Sequence, residues 1–410
     1  MVYQPPTGTR DLFPVDVAQK RWIEERLQQV FHRWGYQRII TSMLERMDTL
    51  MAGGAIQRST VIQLQTQEQE ELGLRPELTA SIARAAATRM AQASHPLRFY
   101  YSANVFRRSP QAHFNRQQES FQAGVELLGA GGVNADAEVL WLLSDCLTSL
   151  NLTDCYLVLG EAGLTRSLLS AFPEMVRLDV REAIANLDRI CLEELPLSDE
   201  LRERALLMLD LRGRPQDVLQ RVSSLDLNPE QRQVVERLKS LVDLVSDQSA
   251  VKSASFPSLV LDLSLIQTFD YYTGIVFEVV SGRATGRKVV GQGGRYDQLL
   301  SLYHPQHAST PGIGFVFNLE DLQQALTPTG QLPREPKAID WLVVPKDGGA
   351  IAAAFAHAQR LRQVDHPVVV EMELEMRQDA DAVRQFARDR HIRQLAWVSA
   401  DGAVEIEAIA

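Results

Sequence analysis

Apolar residues recur at helical spacing between positions 23 and 34, with Ile23, Leu27, Val30, Phe31 and Trp34 on one face. That stripe predicts a helix, and Gly35 stands where a helix terminator belongs. Tyr36 to Ile40 and the aromatic, β-branched run at 98–106 predict strands. A second stripe, Val139, Leu142, Leu143, Cys146 and Leu147, predicts an inward-facing helix from Asn134, with Asn134 or Asp136 as its cap. Further short strands are expected at 154–159, 259–265 and 275–280. Between about 165 and 250, Leu, Arg and Glu dominate at helical spacing, which predicts an all-helical insertion inside one β-rich domain spanning 1–326.

After Leu326 the prolines and glycine of residues 327–337 mark a linker. Beyond it, strands at 340–345, 367–370 and 394–398 alternate with helices at 349–363 and 378–390. That order predicts a small α/β domain with a parallel sheet over 338–410.

Composition narrows the function classes. A chain of 410 residues, 45% hydrophobic and 23% charged, is neither disordered nor collagen-like nor a disulfide scaffold. Its net charge of −10 gives no global basic footprint for nucleic acid or anionic membrane. Three cysteines without metal spacing, Cys146, Cys155 and Cys191, read as small apolar residues in a reducing compartment. No signal peptide and no long apolar span is evident, so a soluble, cytoplasmic protein is expected. Phosphate loop, zinc-protease and nucleophile-elbow motifs are all missing. His304 and His307 lack the partners of a metal site and read as a surface loop, so neither metal nor cofactor is expected.

Four segments are too polar for ordinary core strands: Leu74 to Ala80, Phe106 to Arg108 continuing at Arg116 to Glu126, Phe269 to Gly274, and Gly293 to Asp297. Within the second, Gln122 and Glu126 lie four apart and share one strand face, with side-chain-free Gly124 between them. A small ligand resting on a sheet would explain that pattern; a solvated surface strand is the plain alternative.

These segments, in this order, resemble the class II aminoacyl-tRNA synthetase core, and within it the histidyl-tRNA synthetase family. Pro6 to Asp11, Trp34 to Tyr36 and Met43 to Glu45 are similar to its opening and first motif, and Phe106 to Glu126 to its second. Asp270-Tyr271-Tyr272 and Gly293 to Asp297 resemble its two histidine-specific motifs, and Gly312 to Glu320 its third. The resemblance covers about residues 3–325. It implies an α+β fold: an antiparallel sheet with flanking helices, a helical insertion and the small C-terminal α/β domain. It also implies a pocket for free histidine. Glu77 and Gln122 would take the α-ammonium, and Arg107 the α-carboxylate side. Glu126 and Tyr272 would read the imidazole, with Tyr271 and Tyr296 beside them. A carboxylate with a phenol satisfies either protonation form of the ring.

The nucleotide side departs from the family. Asp321 replaces the third-motif arginine, Ser109 a glutamate that reads adenine, Gln118 an arginine, and Gln267 an arginine that assists activation; Arg116 survives. Ser42 replaces a first-motif proline that bears on dimer packing. Adenylate formation needs fixed positive charge at the developing phosphorane, where one donor is worth roughly 3–4 kcal/mol, so activation is expected to be lost. Residues 338–410 hold 8 Lys+Arg against 12 Asp+Glu, a poor surface for a phosphate backbone. A histidine pocket without catalysis resembles the regulatory subunits of ATP phosphoribosyltransferase. That resemblance implies the short-form catalytic subunit as partner, histidine as effector, regulatory homodimers within a hetero-octamer, no tRNA and no catalytic residue. The competing reading is a divergent but active histidyl-tRNA synthetase, against which Asp321, Ser109 and Gln267 speak. A sensor of uncharged tRNA would want a basic surface that this composition does not supply.

Overall fold

The computed structural model describes residues 3–54, 56–64, 70–108, 118–246, 256–265, 271–282, 288–335, 338–366, 368–375, 377 and 379–409. The chain forms two compact units, Met1–Leu12 with Gln19–Leu332 and Phe13–Ala18 with Pro333–Ala410.

The first unit is built on a nine-stranded sheet. Its six central strands, in spatial order, are Leu97–Phe106, Glu119–Leu128, Gly312–Asn318, Lys288–Arg295, Ile275–Ser281 and Cys155–Glu161. Every neighbouring pair among them is antiparallel. The expected antiparallel sheet is therefore present, with a parallel neighbour beyond each side. Gln37–Arg38 pairs parallel with Leu97–Phe106, and Ser258–Asp262 with Cys155–Glu161. A parallel pair needs a long crossover. Helices from Ala162–Leu169 to Pro229–Ser246 lie between Cys155–Glu161 and Ser258–Asp262 and supply it. The two-residue strand Arg212–Gly213 within that helical run pairs with Ser258–Asp262 at the sheet's edge.

Alternation along the central strands gives the sheet two different faces. Ala123, Val125, Leu127, Ile313, Phe315 and Phe317 join the main core. There they pack with Ile23, Leu27, Val30 and Phe31 of the helix Pro14–Arg33. Phe99, Tyr101, Leu128, Val276, Tyr272 and Tyr296 belong to a separate cluster with Leu78 and Ile82. The helix Thr79–Arg89, rich in alanine, lies on this second side.

Several local expectations change in detail. The first helix ends at Arg33, and Gly35 takes the left-handed conformation with φ +79° while Tyr36 N–H closes back on the Phe31 carbonyl. The strand expected at Tyr36 to Ile40 shortens to Gln37–Arg38, and the Tyr36 N–H is spent on the helix end rather than on a strand partner. The second helix begins at Gly132, ahead of Asn134, with Gly131 at its cap and no side-chain cap. Asp136 is occupied elsewhere: it pairs with Arg295, whose Nε donates to Oδ1 at 2.8 Å. A small sheet of Leu44–Arg46, Leu72–Leu74 and Gln63–Leu64 has no counterpart in the sequence pattern, since its strands are two or three residues long.

In the second unit Ile339–Pro345 lies parallel between Val370–Met372 and Ile392–Val398. The helices are Ile351–Arg362 and Ala380–Asp389. A fourth strand, Val404–Ala408, adds antiparallel to Ile392–Val398. Its short alternation of glutamates with apolar residues suits a half-exposed edge. No helix among the described residues is long and apolar enough to cross a membrane.

Candidate functional site

A narrow cleft opens on the sheet face away from the main core. Its lining brings together Glu77, Arg107, Gln122, Glu126, Tyr271, Tyr272 and Tyr296, all seven residues nominated from the sequence. Gln122 and Glu126 reach it by the alternation of Glu119–Leu128. Glu77 stands just before the helix Thr79–Arg89, and its Oε1 accepts the Ala80 N–H at 2.8 Å. Its carboxylate thus holds one of the helix's unpaired amides as well as facing the cleft. Arg107 continues from Leu97–Phe106 and is anchored by Nε donating to the Pro76 carbonyl at 2.9 Å. Tyr271 packs against both Tyr272 and Tyr296, with ring centroids 4.9 and 5.9 Å away.

Glu126 is the most enclosed of the acids, 2% exposed. Its Oε1 accepts the Thr79 hydroxyl at 2.7 Å, and its Oε2 accepts the Tyr296 hydroxyl. Burial dominates and pushes its carboxyl up to about 8; the two hydroxyls pull it down, and the nearby Glu77 adds to the rise. Burial also raises Glu77, opposed by amide hydrogen bonds at the helix start and by Arg107. Tyr101, Tyr271, Tyr272 and Tyr296 are all pushed up, first by burial and then by the neighbouring carboxylates or phenols, and stay neutral phenols.

Thr79, Tyr101 and Gln292 also line the cleft and were not nominated from the sequence. Thr79 lies inside the polar segment Leu74 to Ala80, and Gln292 is a lone amide among glycines, so a weak signal existed for both. Tyr101 was hidden in an aromatic strand. Gly124 does not leave an open bed for a ligand, as its place between Gln122 and Glu126 suggested. A Cβ there would meet the Tyr101 hydroxyl at 2.6 Å, together with the Phe315 carbonyl. The space belongs to Tyr101. Gly314 likewise admits the Glu126 carboxylate, so the third-motif glycine makes room for a second-motif acid. Arg75 is structural: 4% exposed, it donates to the Asn104 and Thr41 carbonyls at 3.0 and 2.9 Å.

Arg295 and Tyr296 divide their labour by strand alternation. Tyr296 turns into the cleft, while Arg295 turns away to Asp136 and Asp297. Behind the cleft, Arg166 of the helical insertion donates to the Tyr272 carbonyl at 2.9 Å.

Residues 8–322 match the histidyl-tRNA synthetase family. The ATP phosphoribosyltransferase regulatory subunit of Trichormus variabilis is 63% identical over 409 residues, with all of both chains covered. The chain belongs to the family of ATP phosphoribosyltransferase regulatory subunits. A crystal structure described as an ATP phosphoribosyltransferase regulatory subunit/histidyl-tRNA synthetase from Bacillus halodurans superposes with a TM-score of 0.80 at 26% identity. That superposition covers 97% of this chain and 99% of the other. A histidyl-tRNA synthetase from Nostoc shares the fold at a TM-score of 0.77 and 19% identity, covering 99% of this chain and 97% of that one.

Asn318 caps the helix Leu319–Leu326 by accepting from Glu320 and Asp321 N–H, and Glu320 accepts the Phe121 N–H. Asp321, which replaces the third-motif arginine, is paired: Lys288 Nζ lies 2.7 Å from its Oδ1. The acid is therefore partly neutralised by a lysine from the neighbouring strand. Gln118 ties the opening segment down, its backbone N–H donating to the Gly8 carbonyl at 2.7 Å and its Nε2 to that of Thr7 at 3.1 Å. Ser109, Arg116, Gln267 and Asp270 lie outside the described residues, as does Pro367 in the second unit. His304 Nδ1 accepts from the Gln306 backbone at 3.1 Å and His307 Nδ1 lies 3.2 Å from the Ser301 carbonyl, a self-contained loop.

Proposed function

We propose that this chain regulates an ATP phosphoribosyltransferase by binding free histidine in the cleft without activating it. The observation that carries the reading is the convergence of Glu77, Arg107, Gln122, Glu126, Tyr271, Tyr272 and Tyr296 on one enclosed space. Two carboxylates and one guanidinium complement an amino acid that brings an ammonium, a carboxylate and a basic ring. Glu77 and Gln122 take the α-ammonium, Arg107 faces the α-carboxylate, and Glu126 with Tyr272 and Tyr296 reads the imidazole. The replacement of a third-motif arginine by Asp321, an acid that Lys288 only partly neutralises, supports a site without activation chemistry.

The partner is the short-form catalytic subunit, and the assembly a hetero-octamer of four regulatory and four catalytic chains built on regulatory dimers, in the cytoplasm. Histidine binds one quaternary arrangement more tightly and so shifts the catalytic chains toward the inhibited state. By reciprocity, catalytic substrates weaken histidine binding in the complex. An acidic second unit, with 8 Lys+Arg against 12 Asp+Glu over 338–410, supports a role that does not engage tRNA.

The test is histidine-dependent ATP–pyrophosphate exchange on the full chain, with calorimetric histidine binding on the same sample. Binding without exchange supports regulation. Exchange above background would make the chain a synthetase. In the reconstituted complex, Glu126→Ala and Gln122→Ala should abolish histidine feedback, and unchanged feedback would remove the effector from this cleft.

A further inference from the structure

Among the described residues, the cleft holds a buried carboxyl group, that of Glu126, with no cationic partner. Among the described residues, the influences on Glu126 are its burial, the hydroxyls of Tyr296 and Thr79, and the Glu77 carboxylate; no lysine or arginine is among them. Arg107, the cation of the cleft lining, acts on Glu77 and is fixed by the Pro76 carbonyl. Each Glu126 oxygen already accepts one hydroxyl, so the carboxyl is held in place with acceptor capacity left toward the cleft. A buried carboxylate is tolerated when it is paired or protonated. In the empty cleft a proton meets that need, and in the filled cleft the ligand's ring must.

We infer that in the complex Glu126 and the bound imidazole hold a single proton between them, so that histidine affinity is bell-shaped in pH. The inference rests on the histidine reading of the cleft and adds the protonation state that the cleft selects. Free imidazole titrates near ~6.5. The empty-cleft Glu126 is pushed up to about 8 by burial. Between those values the proton is already on Glu126, and binding only moves it toward the ring. Above about 8 the empty cleft has lost it, so binding must take a proton up. Below ~6.5 both partners are protonated and binding must release one. Each proton exchanged changes affinity tenfold per pH unit.

The other titratable groups facing Glu126 come from every element around it. Tyr101, Tyr271, Tyr272 and Tyr296 are pushed up and are silent below pH ~9. Glu77 is raised too, with Arg107 opposing the rise, and the ligand's own α-amine titrates in the alkaline range. All of these are common to a variant that changes Glu126 alone.

The experiment is calorimetric titration of the full chain with free histidine at pH 5.5, 7.2 and 9, each in two buffers of different ionisation enthalpy. Wild type should release about one proton at the acid end, exchange about none in the middle, and take up about one more than Glu126→Gln at the alkaline end. Tyr296→Phe keeps the carboxyl but removes a hydroxyl that lowers its pKa, so its alkaline limb should move to higher pH. Saturable binding with no wild-type-minus-Gln difference, or an unmoved limb in Tyr296→Phe, would overturn the shared proton and leave the histidine site standing. Absence of saturable binding by wild type at every pH would overturn the histidine reading itself, and this inference with it.

Discussion

Within the strand Gly312–Asn318, Gly314 lies against the Glu126 carboxylate, in a cleft walled by tyrosines. At the strand's far end, Asn318 caps a helix whose Asp321 meets Lys288, both about 30% exposed. The two regions are neighbours on one sheet and differ in what holds them. At the cleft, shape decides: Gly314 must be bare for Glu126, Gly124 for Tyr101, and Glu77 also secures the start of a helix. At the helix end, an ion pair in partial solvent decides, and such pairs contribute ~0–1 kcal/mol. Charge on that side is therefore exchangeable at little cost to the fold, whereas the cleft is tied into packing. On the function proposed above, nucleotide chemistry is shed by surface substitutions while the amino-acid pocket stays in place.

The largest expected effect exploits the burial of Glu126. Its carboxyl titrates at about 8 in the folded protein, against roughly 4.3 when unfolded. The unfolded chain therefore loses its proton first, and the stability associated with the protonated group is full below ~4.3 and declines as pH rises to about 8. Between pH 5 and 8 the loss should be on the order of 4 kcal/mol, and Glu126→Gln should remove that part of the pH dependence. Urea unfolding of both proteins at the two pH values measures it; parallel profiles would mean Glu126 is far better solvated than its enclosure implies.

Next in size, Glu126→Ala should weaken histidine binding about a hundredfold, the loss of a charge-assisted hydrogen bond worth roughly 1.5–3 kcal/mol. Thr79→Val, which removes one hydroxyl from the same carboxylate, should weaken it about tenfold, and calorimetry would rank the two. Gly124→Ala should destabilise the first unit by ~1–3 kcal/mol, because its Cβ would enter space held by Tyr101 and the Phe315 carbonyl. A neutral result would mean that Tyr101 shifts freely, and that the cleft is less tied to packing than its glycines indicate.

The smallest effect should come from the other region. Asp321→Arg replaces an ion pair by a repulsion with Lys288, costing no more than ~1 kcal/mol, and should leave histidine affinity within about twofold. Pyrophosphate exchange should remain at background in this variant. Measurable exchange would show that one residue had been holding the chemistry off.

Two residues of the candidate site, Gln122 and Glu126, were legible from strand alternation around a glycine, whereas Glu77, Arg107, Tyr271, Tyr272 and Tyr296 came from the resemblance to the histidyl-tRNA synthetase family. Gln122, Gly124 and Glu126 occupy one face of a strand whose other face is Ala123, Val125 and Leu127, and the 2-residue period assigns both. Helical spacing likewise marked Ile23 to Phe31 and Val139 to Leu147 as buried. Caps and short strands were not legible. Asp136 resembles a helix cap in sequence, yet its partner Arg295 is 159 residues away. Strands of two or three residues carry no period to detect.

Local pattern thus determined the strands and helices, the face each presents and the residue types on it, because backbone geometry repeats every 2 or 3.6 positions. Which of those residues meet was decided by the tertiary structure. Tyr296 reaches Glu126 across 170 residues, Lys288 finds Asp321, and Tyr101 fills the space above Gly124. Such meetings depend on the order of strands in the sheet and on side-chain volume, neither of which is written in the spacing of residues along the chain.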